Sequence, residues 1–165
     1  MGEATVRLVP WSADDLSLLR RINTPRMREH VGGPETDEEV VARHQRYLAL
    51  EDGRMFRIEL ASGEAAGSVA FWSRLWHGEP VYESGWNVLP EFQGRGVATA
   101  AVRAVIAAAQ GDARHRWLHA FPSVANAASN AVCRKAGFAL MGETDFEYPP
   151  GQFMRSNDWR YDLVR

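Results

Sequence analysis

Gln93-Gly94-Arg95-Gly96-Val97-Ala98 follows a run ending in Val88-Leu89-Pro90 and opens an alanine-rich stretch that continues to about Ala109. It therefore reads as the turn between a strand and a helix. The first amide groups of such a helix have no intrahelical partner and attract anions. Glycines at 94 and 96 remove the Cβ atoms that would hold a phosphate away from the backbone, and a pyrophosphate is the guest that fits. A Walker A loop would end in Gly-Lys-Ser/Thr, and no lysine stands here. The dinucleotide fingerprint, counted from Gly94, needs Gly or Ala where the chain has Thr99, and it opens a parallel βαβ unit. The plain alternative is a glycine-rich turn with no ligand.

What precedes the turn does not read as a parallel unit. Three strand candidates, Met55 to Ala61, Ala65 to Leu75 and Val81 to Leu89, are separated by Ser62-Gly63 and by the turn His77-Gly78-Glu79-Pro80; short turns imply an antiparallel meander. Before it come a strand over Thr5 to Pro10, a helix capped by Ser12, and a second helix opened by the capping box Thr36-Asp37-Glu38-Glu39. After it, Gln110-Gly111-Asp112 ends the alanine-rich helix, Trp117 to Phe121 is a strand, and Asn126 to Ala136 a helix closed by Gly137. Phe138 to Tyr148 and Phe153 to Leu163 make a terminal strand pair. The order β-α-α-β-β-β-α-β-α-β-β predicts an α/β (α+β) fold with helices on a mixed sheet. With 165 residues and no linker or repeat, residues 1–165 are expected to form a single domain.

A net charge of −2 without a basic, aromatic-laced stripe argues against a nucleic-acid partner. Cys133 is the one cysteine, so neither an intrachain disulfide nor a cysteine-based metal cluster is expected, and a reducing cytoplasm is the natural setting. The start of the chain shows no apolar leader, and no later stretch approaches the roughly 18 apolar residues of a membrane span. No membrane partner is expected. Lys135 is the sole lysine among many arginines, a bias that needs no functional reason.

Gln93-x-x-Gly96-x-Ala98 matches the Q/R-x-x-G-x-G/A motif of the GNAT acyltransferases. The run from Trp86 to Gly96 resembles the branch holding ribosomal-protein N-terminal acetyltransferases and some antibiotic acetyltransferases. Asn126-x-x-Ser129 and Lys135-Ala136-Gly137-Phe138 are similar to that family's second pattern, and the element order matches its fold nearly end to end. The resemblance implies the GNAT fold, a mostly antiparallel sheet of about seven strands with about four helices, splayed between strands 4 and 5. It implies acetyl-CoA as co-substrate and no metal.

Carried over by resemblance, Gly94, Arg95, Gly96, Val97, Ala98 and Thr99, with Gln93, bind the cofactor's pyrophosphate, while Asn87, Val88, Asn126, Ser129 and Lys135 complete the cofactor site. Asn126 and Ser129 lie at helical spacing with Cys133, three residues and then four apart, which sets them on one face, with Ala128, Val132 and Ala136 as an apolar stripe elsewhere. Asn126 serves equally as a plain N-cap. Ser129 is the implied acid for the departing thiolate. Cys133 stands where many relatives carry a tyrosine, and it reads either as an altered acid or as a small buried filler.

Transfer to an amine needs a base, because amines are mostly protonated at neutral pH. Glu83, on the strand that feeds the loop, is the candidate. Counting back as in distant relatives selects Tyr82 on the opposite face, unless a bulge near Asn87-Val88 reverses the parity. Amides near Asn87 and Val88 are candidates for holding the carbonyl oxygen.

The acceptor, an amine-bearing small molecule or a peptide N-terminus, would meet acids at Glu35, Asp37, Glu79, Asp145 and Glu147 and aromatics at Trp72, Trp76, Tyr82, Trp86 and Tyr148. Both suit a cation, though acids at a helix start and core tryptophans need no ligand to explain them. A catalytically inactive CoA-binding relative and a nucleotide-binding module are the competing classes. A homodimer is the commonest soluble assembly.

Overall fold

The computed structural model describes residues 4–165; the reading of residues 1–3 as part of a leaderless start lies outside the described residues. Seven strands, β1 (Val6–Pro10), β2 (Gly53–Leu60), β3 (Ala65–Trp76), β4 (Glu79–Val88), β5 (Trp117–Ala120), β6 (Ala139–Glu147) and β7 (Phe153–Asp162), form one sheet in the order β1-β2-β3-β4-β5-β7-β6. Four α-helices accompany it: α1 (Leu16–Ile22), α2 (Asp37–Leu48), α3 (Val97–Asp112) and α4 (Ala127–Lys135). Every neighbouring pair is antiparallel except β4 and β5. Capping boxes at Ser12 and Thr36 start the two N-terminal helical segments as their sequences predict.

The β3–β4 hairpin sets which side chains face which way. His77 and Gly78 both have positive φ, 50° and 77°, the geometry of a two-residue turn whose twist matches the strands. The four-residue turn expected from the sequence is therefore shorter, and β4 begins at Glu79. From Trp76 opposite Glu79 the register runs unbroken to Gly67 opposite Val88, so no bulge reverses parity along this ladder. Tyr82 and Glu83 point to opposite faces. Tyr82 is fully buried in the core beneath α3 with Phe71, Val102 and Val105. Its hydroxyl donates to the Asp112 carboxylate and accepts the Arg114 N–H at 2.9 Å.

That hydroxyl explains where α3 ends. Gln110-Gly111-Asp112 was expected to stop the helix, yet it continues through Gly111 and closes at Ala113 with φ 59°. Tertiary anchoring of Asp112 outweighs the cost of about 1 kcal/mol that a glycine adds inside a helix.

β4 and β5 pair only at Tyr82–Leu118 and Glu83–His119. Beyond, the chain after β5 is claimed by β7: Asn157 N–H donates to Pro122 O at 2.9 Å, Val124 N–H to Arg155 O at 3.0 Å, and Ser123 bridges Ser156. The strands part, and the partner-facing edge of β4 is left open. Leu89 N–H donates to Ala66 O at 2.8 Å, and antiparallel bonding alternates. Asn87 and Gly85 therefore aim their backbone groups at β3, while Trp86 and Val88 aim theirs into the gap.

β3 and β4 approach so closely near the gap that a Cβ on Gly67 would lie 1.9 Å from the Asn87 carbonyl oxygen. Gly67→Ala should cost about 1–3 kcal/mol, read as a lower chemical-denaturation midpoint at unchanged slope.

Candidate active site

A cavity of about 480 Å³ sits at this gap, reached by β4, the end of β5, the start of α4, helix α2 and the segment that follows α1, through Met27, Arg28, His30 and Val31. Glu83, Gly85 and Asn87 line it from β4, Ser68, Ala70 and Trp72 from β3, and Asn126 and Ser129 from α4. These are one face of the hairpin, since Trp72 opposes Glu83, Ala70 opposes Gly85 and Ser68 opposes Asn87.

Glu83 is the single carboxylate among the described residues that line it. Its side chain is 13% exposed and accepts from Arg74 Nη1 at 2.6 Å. Burial pushes its pKa up, and the facing Arg74 guanidinium opposes that without cancelling it. Arg74 is itself fixed by aromatic rings, its guanidinium carbon 4.8 Å from the Phe146 centroid, 5.4 Å from Trp76 and 5.5 Å from Phe121. On the adjacent strand His119 Nδ1 lies 2.6 Å from Asp158 Oδ1, and Trp76 Nε1 donates to Asp158 Oδ2 at 3.2 Å. Sequence reading missed Arg74. Its signal was present: once His77-Gly78 is taken as a two-residue turn, Arg74 and Glu83 fall diagonally adjacent on one face.

At the far end of the gap, Gly94 and Gly96 have φ of 74° and 77°, which a side chain would strain. A Cβ would meet nothing nearby at Gly94 and only the Ala4 nitrogen, at 3.7 Å, at Gly96. Gly96 is the N-cap of α3, no side chain caps that helix, and the first helical bond is Ala100 N–H to Gly96 O. The amides of Val97, Ala98 and Thr99 thus start the helix without intrahelical acceptors. Gln93 Nε2 donates to Val88 O at 2.8 Å. That bond satisfies the carbonyl Val88 turns into the gap and leaves the Val88 N–H as the donor there. Arg95 folds back over the Phe92 ring at 5.9 Å. The backbone of Asn87 serves β3, so of the two amides expected near the thioester only that of Val88 faces the gap, as does that of Trp86, while Asn87 lines the cavity wall.

On α4, Asn126 Oδ1 caps the helix by accepting Ser129 N–H at 3.1 Å, and the two N–H donors of its amide are the part that capping does not use. Asn126 and Ser129 line the cavity together. Cys133 leaves their face and belongs to the core, fully buried, its thiol pushed up by burial to about 12. Ala128 is exposed and so is not part of a buried stripe. The helix turns Asn130 and Cys133 inward because β7 offers partners there. Asn130 Nδ2 donates to Ser123 O and Asn126 O at 3.0 and 2.9 Å, and its Oδ1 accepts from Asn157 Nδ2 and Trp159 Nε1 at 2.9 and 2.8 Å. All four hydrogen-bonding positions of that amide are filled. Lys135 is exposed at the end of α4 and not part of the cavity wall, its carbonyl accepting from Arg103.

The acids expected near a cationic acceptor lie elsewhere. Glu35 is held by Arg43 at 2.7 Å and Asp37 by Arg20 at 2.9 Å, Asp145 pairs with Arg155, and Glu79 and Glu147 are exposed. Of the aromatics, Trp72, Trp86 and Tyr148 line the cavity; Trp76 is turned to Asp158 and Tyr82 to α3.

Residues 5–139 match the family described as Acetyltransferase (GNAT) domain. The chain belongs to the GNAT acetyltransferase family. No curated protein matches its sequence significantly. Among solved structures, the GNAT chain is similar to aminoglycoside acetyltransferase AAC(6')-Ib in complex with coenzyme A, at 21% identity and a TM-score of 0.80 over 96% of this chain and 95% of the other. It is similar to a GNAT-family acetyltransferase from Bacillus anthracis, at 17% identity and 0.81 over 99% and 98%. Spermidine N-acetyltransferase from Vibrio cholerae, in complex with CoA and spermine, shares 16% identity and 0.79 over 96% of each chain. At such identities the likeness is one of fold, splay included. GNAT enzymes use acetyl-CoA, and the uncapped, Cβ-free start of α3 with the open edge of β4 fits that co-substrate. Among the described residues of this GNAT chain no helix is long and apolar enough to cross a membrane.

Two outcomes check this assignment of α4. Native protein at pH 8 should resist alkylation of Cys133 by iodoacetamide, and denatured protein should react as an ordinary thiol. Asn130→Ala should lower stability by about 2–3 kcal/mol in chemical denaturation, because it strands buried donors and carbonyls.

Proposed function

We propose that this chain transfers the acetyl group of acetyl-CoA to a primary amine by direct attack, with Glu83 as the base. The observation that carries the reading is that Glu83 is the sole carboxylate among the described residues of the cavity wall, at the point where β4 and β5 part, with its proton affinity raised by burial. A base whose pKa is raised toward the working pH takes a proton more effectively than an ordinary exposed glutamate.

Acetyl-CoA supplies the activated thioester. Glu83 removes a proton from the attacking nitrogen, directly or through one water, as the C–N bond forms. The Val88 and Trp86 N–H groups, aimed into the gap, hold the carbonyl oxygen as charge gathers on it. Ser129, which lines the cavity with Asn126, gives a proton to sulfur as the C–S bond breaks, and the Asn126 amide N–H donors steady the pantetheine arm. Gly94 to Thr99 hold the pyrophosphate. Arg74 acts as a positioning residue, since its ion pair fixes the Glu83 rotamer and limits how far burial raises the pKa. Cys133 takes no part: its thiol is packed in the core, away from the cavity wall, and burial keeps it from ionising to a nucleophile at neutral pH.

Thiol release from acetyl-CoA over a panel of amines tests the reading, and CoA binding with no release from any amine would sink it. With an accepted amine, Glu83→Gln should lower kcat/KM by about 10²–10⁴-fold. The wild-type rate should rise with pH as Glu83 deprotonates, through a range above that of an ordinary carboxyl, and this limb should vanish in the variant.

A further inference from the structure

We propose that the amine accepted here also bears a carboxylate, received by Arg46 of α2 at the acceptor end of the cavity. The inference rests on the acetyl-transfer reading and concerns the acceptor half of the same cavity.

The wall carries three arginines, Arg28, Arg43 and Arg46, and one carboxylate, Glu83. Glu83 is already matched by Arg74. A polycation entering this space would meet cations on α2 and no unpaired acid, at a Coulomb cost that grows as water is excluded. An acceptor with one amine and one anionic end reverses both terms.

Arg43 and Arg46 differ in what they can offer a ligand. The Arg43 side chain is 6% exposed and held by Glu35, with Nε donating to Oε1 at 2.9 Å and Nη2 2.7 Å from the same oxygen, while Nη1 donates to the Tyr47 hydroxyl at 3.1 Å. Its charge is matched there. Arg46 and Tyr47 follow Arg43 at helical spacing and line the same cavity, with Leu50 just past the end of α2. Arg46 is exposed, and among the described residues it has no ion-pair partner. Arg28, by contrast, is occupied by the carbonyls of Gly33 and Val31 at 2.8 and 3.1 Å.

The carboxylate end and Glu83 are within one site. Tyr47 packs edge-on to Trp11 at 5.8 Å, and Trp11 N–H donates to Met55 O at 2.9 Å. Met55 lies opposite Ala70 and Gly53 opposite Trp72, the residue that faces Glu83 across the hairpin. Between the charged ends the wall is Met55, Trp72, Tyr47, Tyr148 and Leu50, suited to an apolar or aromatic body. The chemistry is that of an amino acid with an apolar side chain, or of a peptide N-terminus followed by acidic residues.

The test is equilibrium binding to the CoA-loaded protein, followed by tryptophan fluorescence, with thiol release measured in parallel. The probes are phenylalanine and methionine, their carboxamides, an acidic tetrapeptide with an amidated C-terminus, and spermidine. A free amino acid or the acidic peptide should bind at least tenfold more tightly than the carboxamides and spermidine, and whichever is tighter identifies the source of the carboxylate. Arg46→Glu should weaken that binding about tenfold or more while leaving the affinity for CoA within twofold. Carboxamides or spermidine binding as tightly as the carboxylates, no carboxylate-dependent binding across the panel, or an unchanged preference in Arg46→Glu would each overturn the proposal. Carboxylate-selective binding without thiol release would instead sink acetyl transfer and keep the anion site. Release with spermidine alone would do the reverse.

Discussion

After Glu83 pairs with His119, β4 loses its neighbour, because the chain leaving β5 is bonded to β7 through Pro122, Val124 and Ser123. The cavity is arranged around that loss. A strand edge inside a sheet carries backbone donors that must be met; here Gln93 meets one carbonyl, and the Trp86 and Val88 amides face the gap. The start of α3 lies just beyond the end of the same strand and adds further uncapped amides. The open edge and the helix start form one continuous donor surface, which is what a long, anion-headed co-substrate requires.

The gap needs rigid walls, and two buried polar devices supply them. Asn130 ties α4, the 122–126 segment and β7 together with four hydrogen bonds, so the helix bearing Asn126 and Ser129 cannot drift from the strands. Tyr82, on the opposite face of β4 from Glu83, locks the end of α3 through Asp112 and Arg114. β4 is thus held from behind by a phenol while it presents a carboxylate in front. Such satisfied networks rigidify and specify a site.

Charge divides the cavity in two. Near the gap, Glu83 and Arg74 form a balanced pair sheltered by Trp76, Phe121 and Phe146. On α2 the balance tips to arginine, since Glu35 alone faces Arg43 and Arg28 and leaves Arg46 unmatched. Of the acids that made a cationic acceptor attractive in the sequence, Glu35, Asp37 and Asp145 are taken up by arginines, and Glu79 and Glu147 are exposed away from the cavity wall.

Sequence alone determined the elements whose causes are local. Capping boxes at Ser12 and Thr36, the glycines of the phosphate loop and the positive φ at Gly137 all follow from interactions within a few residues, and the meander followed from its short turns. The spacing of Gln93, Gly96 and Ala98 was enough to point to the family and its co-substrate. Tertiary structure decided what depends on partners far along the chain. It carried α3 past Gly111, turned Cys133 into the core and away from Ser129, set Gln93 on Val88 O, and paired Glu83 with Arg74. Helical spacing and strand alternation say which residues share a face. Which face is buried, and against which charge, is set by contacts between segments that the sequence keeps dozens of residues apart.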